Sequence, residues 1–166
     1  HELTEEELKT ALEIGRRQGV LNSKEEEMIK SVFRFGDKTA KDVIIAPKRI
    51  VACDINTPLK TIRSIVTDKE LSRMPIFENN LDNVLGILYA KDLFVAGLKG
   101  PFELREILRE PFYVRQDINL DDLLREFRTH RIHMALVRDA DGKFIGLVTL
   151  QDLLEEIIGQ IRDIKG

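Results

Sequence analysis

Residues 132–152, IHMALVRDADGKFIGLVTLQD, decide the fold, because residues 72–92, SRMPIFENNLDNVLGILYAKD, carry the same pattern at an offset of 60. In the later copy the apolar runs MALV and FIGLVT flank DADG, and two such runs around an Asp/Gly turn predict a β-hairpin. Leu150, Leu153, Leu154, Ile157, Ile158 and Ile161 then recur at helical spacing. In the earlier copy PIF and VLGILY predict strands, ENNLDN the turn between them and AKDLFVA a helix, which Gly97 and Gly100-Pro101 end. Between 72–96 and 132–156 the register holds without a gap, and Met74/Met134, Gly86/Gly146, Asp92/Asp152 and Leu93/Leu153 are identical.

The repeat extends upstream. IVACD predicts a strand, and Thr57-Pro58 opens a helix whose Leu59, Ile62, Ile65 and Val66 share one face, with Pro where its missing N–H is harmless. In the second copy FYV is the strand, and Leu120, Leu123, Leu124 and Phe127 mark the helix. Each copy is a β-α-β-β-α unit of roughly 55 residues, near the lower limit of independent stability. Two copies can cover each other's sheets, with FELREIL as a bridging helix. The expectation is therefore an α/β (α+β) fold, one domain of two repeats packed with pseudo-two-fold symmetry over 43–161.

Ahead of the repeat, two helices are expected. Thr4 with Glu7 makes a capping box, with Leu3 and Leu8 at the staple positions, and Ser23 with Glu26 makes a second box. Met28, Ile29, Val32 and Phe33 follow at helical spacing, with Gly36 as the stop. Both helices are acidic outside and narrowly apolar inside, a pattern that needs a neighbour to pack on. The organisation is thus linker helices over 1–42, a first repeat over 43–100 and a second over 101–166.

Composition excludes several classes. At 43% hydrophobic and 33% charged, the 166 residues belong to a folded globular chain. The net charge of −3 resides in residues 1–30, which hold eight acids and five bases, so no clustered basic face points to nucleic acid. Cys53 is the only cysteine and sits in an apolar run, which implies a buried, inert thiol and a reducing compartment. No apolar stretch approaches the ~20 residues that span a bilayer. The chain starts at His1 and carries no signal peptide, so a piece of something longer is expected, with any membrane part elsewhere.

A β-α-β-β-α tandem whose second hairpin ends in G-h-h-T-x-x-D resembles a pair of CBS (cystathionine-β-synthase) domains, or Bateman module. It most resembles the pair of the CorC/hemolysin-like, cyclin M-related magnesium and cobalt transport proteins. The stretches 4–29, 36–54, 72–93 and 133–161 carry the resemblance, in order, over nearly the whole chain. Ala46-Pro47-Lys48 stands where the family has Thr-Pro-Arg, Asp139-Ala140-Asp141-Gly142-Lys143 where it has Asp-Glu-Tyr-Gly-Gly, and Gln151 where it has Glu. The resemblance implies a cytosolic regulatory module at the membrane's cytoplasmic face, which follows a transmembrane domain, binds an adenine nucleotide (ATP or AMP, with or without magnesium) and forms a homodimer. The alternative is a dimerisation scaffold that binds nothing small.

A nucleotide needs acceptors for its ribose hydroxyls and donors for its phosphates. Asp152 can take both hydroxyls of a ribose. Thr149, at the start of the same helix, adds a hydroxyl to amides and a dipole that favour an anion. Tyr113, Val114, Met134 and Ala135 are the candidates for adenine, and Arg73 for a phosphate. T-x-x-D at such a junction is also a capping box, and both roles stand at this point. In the first copy Tyr89 replaces the small hydroxyl, leaving Asp92 with Tyr89 as a weaker second site. Asp139-Ala-Asp-Gly reads as a hairpin turn and not a calcium loop, and His130 with His133 lack the further ligands of a zinc site. Walker, GxGxxG and nucleophile-elbow motifs are absent, so no enzyme is expected.

Overall fold

The computed structural model describes residues 2–162, the side chains of residues 160–162 excepted, so Ile161 of the last apolar stripe lies outside the described side chains. The chain runs α1 (Glu5–Arg17), α2 (Ser23–Asp37), β1 (Cys53–Asp54), α3 (Leu59–Asp68), β2 (Arg73–Glu78), β3 (Asn80–Tyr89), α4 (Ala90–Lys99) and α5 (Leu104–Ile107). It continues with β4 (Tyr113–Arg115), α6 (Leu120–His130), β5 (Met134–Arg138), β6 (Phe144–Thr149) and α7 (Leu150–Arg162). Both copies are β-α-β-β-α, in the order the hydrophobic pattern gives. The strands form two three-stranded sheets, β1-β2-β3 and β4-β5-β6. In each the first strand pairs in parallel with the second, Cys53 opposite Ile76 and Tyr113 opposite Leu136.

The chain condenses into two compact units that do not follow the repeat boundaries: 44–116 with 134–148 form one, and the segments up to Val43, Asp117–His133 and from Thr149 onward form the other. The first holds both sheets. Between them Val84, Ile87 and Tyr89 of β3 pack with Met134, Leu136, Phe144 and Leu147 of β5 and β6. On the far side of the first sheet Ile62 and Leu93, from α3 and α4, cover Met74, Ile76 and Leu88, and each buried aliphatic contributes about 1.5–3 kcal/mol. Cys53 belongs to that layer, and burial pushes its thiol pKa up.

Each sheet is extended by one residue from the segment that enters the other repeat. Arg109, just ahead of β4, exchanges both backbone hydrogen bonds with Ile87 of β3 at 2.8 and 3.0 Å. Ile45, ahead of β1, does the same with Leu147 of β6 at 2.8 and 3.2 Å. Ile87 and Leu147 are repeat-related, and the glycine before each lies where the incoming backbone passes. A Cβ on Gly86 would sit 2.8 Å from the Arg109 carbonyl oxygen, and one on Gly146 2.6 Å from that of Ile45.

Three local expectations need correction. ENNLDN is not an open turn: β2 reaches Glu78, β3 begins at Asn80, and Asn79 alone turns the chain at φ 71°. The carboxylate of Asp54 accepts the Asn56 and Asn79 amides at 2.8 and 3.0 Å, which holds its pKa below the usual range. The second capping box is one residue earlier than read, formed by Asn22 with Glu25. Gly36 does not stop α2, which continues to Asp37.

The second unit is helical. Glu26 is 5% exposed, and its two oxygens meet Arg16 of α1 at 3.0 Å and Lys30 at 3.3 Å. Phe35 of α2, Leu120, Leu123 and Phe127 of α6 and Leu153 of α7 are buried, and Lys38 pairs with Glu156 of α7. By contrast α1 buries no residue fully, and Leu8, Ile14, Met28 and Val32 leave an apolar stripe of this unit exposed. No helix among the described residues is long and apolar enough to cross a membrane.

Candidate functional site: the two strand-to-helix junctions

The chain leaves β6 for α7 at Thr149. Thr149 Oγ1 accepts the Asp152 amide at 3.1 Å, and Asp152 Oδ2 accepts the Thr149 amide at 3.2 Å, a reciprocal cap on α7. Capping is therefore one role of the pair. It does not exhaust their chemistry: the Thr149 hydroxyl still has its proton to donate, and Asp152 Oδ1 accepts no hydrogen bond among the described residues. Both residues are half-buried at a helix N-terminus, where amides and dipole favour an anion.

The equivalent junction in the first repeat is built differently. Tyr89, the cap of α4, makes no side-chain cap hydrogen bond and is 9% exposed in the layer between the sheets. Both oxygens of Asp92 are taken by one guanidinium, Arg109 Nε donating to Oδ2 at 2.8 Å and Nη2 to Oδ1 at 3.1 Å. The same guanidinium lies 3.9 Å from the Tyr89 ring centroid. Hydrogen bonding to Asp92 raises the Arg109 pKa further, so the charge is fixed.

The other expected residues lie in the two-sheet unit. Tyr113 is half-buried, with the Arg138 guanidinium 3.4 Å from its ring centroid, so one face of the ring is covered. Val114 and Met134 are nearly buried and Ala135 fully so, which makes them floor and not exposed side chains. Arg73 approaches the Tyr89 ring at 5.2 Å, and its Nε is buried without a hydrogen-bond partner among the described residues. Tyr113, Met134 and Tyr89 share one cluster; Thr149 and Asp152 belong to the helical unit. Arg109 and Arg138 were not singled out by sequence, since exposed arginines carry no periodic signal.

The remaining polar clusters are structural. Asp139 Oδ1 accepts the Asp141 and Lys143 amides, each at 2.9 Å, in the hairpin turn expected there. His130 pairs with Glu126 one helical turn away. Among the described residues no group of three or more His, Cys, Asp or Glu is placed to hold a metal ion.

The family model of the CBS domain matches residues 40–99 and 104–159. The magnesium and cobalt efflux protein CorC of Vibrio cholerae is 37% identical over 139 residues, covering 82% of this chain and 48% of that protein. The chain spans between 25% and 53% of the length of other curated relatives that it matches. Among solved structures, the CBS domain of the bacterial CNNM/CorC family Mg2+ transporter is 32% identical with a TM-score of 0.82, over 95% of this chain and 98% of that one. The CBS domain of that family's Mg2+ transporter in complex with ATP is 30% identical with a TM-score of 0.74, over 81% of this chain and 97% of that one.

Proposed function

This chain belongs to the tandem CBS-domain pairs of the CNNM/CorC, hemolysin-like family, and on that premise we propose that it is the regulatory module of a membrane magnesium/cobalt transport protein. It senses an adenine nucleotide, ATP or AMP, and carries out no chemistry on it. Residues 1–42 link it to a transmembrane domain, through the apolar stripe that Leu8, Ile14, Met28 and Val32 leave exposed, and 43–100 and 101–166 are the two repeats. The module then lies at the cytoplasmic face of the membrane.

The observation that carries the reading is the unspent capacity of the Thr149–Asp152 pair, with Asp152 Oδ1 open beside a helix N-terminus. In the proposal Asp152 takes the ribose hydroxyls, and Thr149 and the first amides of α7 take phosphate. Magnesium, where present, would ride on the phosphates. A ligand shifts the module only by its differential affinity for two arrangements, so the sensed signal is the nucleotide concentration.

Calorimetric titration of the intact chain tests this with ATP and AMP, each with and without magnesium. Asp152→Asn keeps a capping side chain but loses the charge, and it should weaken binding about ten- to hundredfold. Binding that survives unchanged in Asp152→Asn and Asp152→Ala removes the site assignment.

Phe94 and Leu98 on α4, 69% and 72% exposed, flank an open groove against α3. They favour a homodimer through this face, and they also support the second reading, a scaffold that needs no nucleotide.

A further inference from the structure

We infer that the first repeat holds a latent nucleoside site and that Arg109 occupies it as an internal stand-in for the ligand. The inference rests on the reading of Thr149–Asp152 as the working site. A nucleoside brings to such a junction a flat ring to stack and two adjacent donors for a carboxylate. Arg109 brings the same things: a planar group 3.9 Å from the Tyr89 ring centroid, and N–H donors at 2.8 and 3.1 Å to the two oxygens of Asp92.

The backbone explains why only this copy is closed. Arg109 is held on β3 by its paired hydrogen bonds to Ile87. The residue making the same paired bonds to the repeat-related Leu147 is Ile45, whose side chain has no donor. One repeat thus carries an arginine where the other carries an aliphatic chain.

Stability alone gives a weak reason for the arginine. The two side chains are 44% and 28% exposed, and ion pairs so placed contribute little. Space and an unmet donor point to a ligand instead. A cavity of about 670 Å³ runs along Asp92, Lys91, Lys99, Phe102 and Arg109, within the size range of small-molecule sites. The buried Nε of Arg73, near the other junction residue Tyr89, has no partner among the described residues. Removing the Arg109 side chain would free the carboxylate and the ring together.

Calorimetry with adenosine tests the inference by counting sites. Wild type should take one equivalent per chain, and Arg109→Ile, which installs the residue type that pairs with the second sheet, should take one more. Adding Asp92→Asn to Arg109→Ile should return the count to that of wild type. Arg109→Ala serves as the second variant if the isoleucine disturbs folding, as judged by circular dichroism. Two equivalents on wild type, or no gain in a folded Arg109 variant, would overturn the inference. Loss of all adenosine binding in wild type counts against the Thr149–Asp152 reading; a site gained by Arg109→Ile would still support the latent site.

Discussion

Gly86 and Gly146 show how one residue type is imposed twice by the same approach of backbones. The carbonyl oxygens of Arg109 and Ile45 lie 2.8 and 2.6 Å from where a Cβ would stand, and backbone cannot give way as a flexible side chain can. Gly146→Ala should therefore cost about 1–3 kcal/mol of stability in urea unfolding, and Gly86→Ala a similar amount. A variant as stable as wild type would mean that the Ile45–Leu147 pairing is dispensable. Their recurrence at a fixed offset was legible in the sequence, as was the contrast of Thr149 with Tyr89. Arg109 was not, because it acts across a gap in the repeat: its partner Asp92 is on α4, whereas Arg109 follows α5 in a segment outside the gapless register.

At the scale of elements, apolar periodicity placed the helices and strands, but polar residues left their ends ambiguous. Asn22 with Glu25 and Ser23 with Glu26 both spell an N-terminal box, and local sequence does not choose between them. Tertiary packing does: Glu26 is needed inside, where Arg16 and Lys30 neutralise it, so Glu25 turns back to the Asn22 amide at 3.1 Å. Asn22→Ala should cost about 1 kcal/mol, and Ser23→Ala much less, in chemical denaturation. The reverse order would place the cap at Ser23. The same limit blurred the ends of the first hairpin, where polar residues that favour turns extend β2 and β3 up to Asn79, whose amide the Asp54 carboxylate accepts.

At the scale of the molecule, the two repeats are not two beads. Their sheets share one apolar layer, and each accepts a paired residue from the entry segment of the other, so neither repeat has a complete core alone. The pairing of the repeats followed from their small size, whereas the exchange of entry segments left no mark except the two glycines. Such a body gives a ligand a direct thermodynamic readout, because binding to the folded state alone raises stability by RT ln(1 + [L]/Kd). With ATP or AMP at a hundredfold excess over Kd, that amounts to about 2.7 kcal/mol, or a rise in Tm of about 5–10 °C. The scaffold reading predicts no rise with ATP, AMP or adenosine, with or without magnesium, and keeps only the dimer. Sedimentation of wild type beside Phe94→Glu completes the discrimination: a dimer that the charge dissociates, in a protein whose Tm nucleotides leave unmoved, would establish the scaffold and remove the sensor.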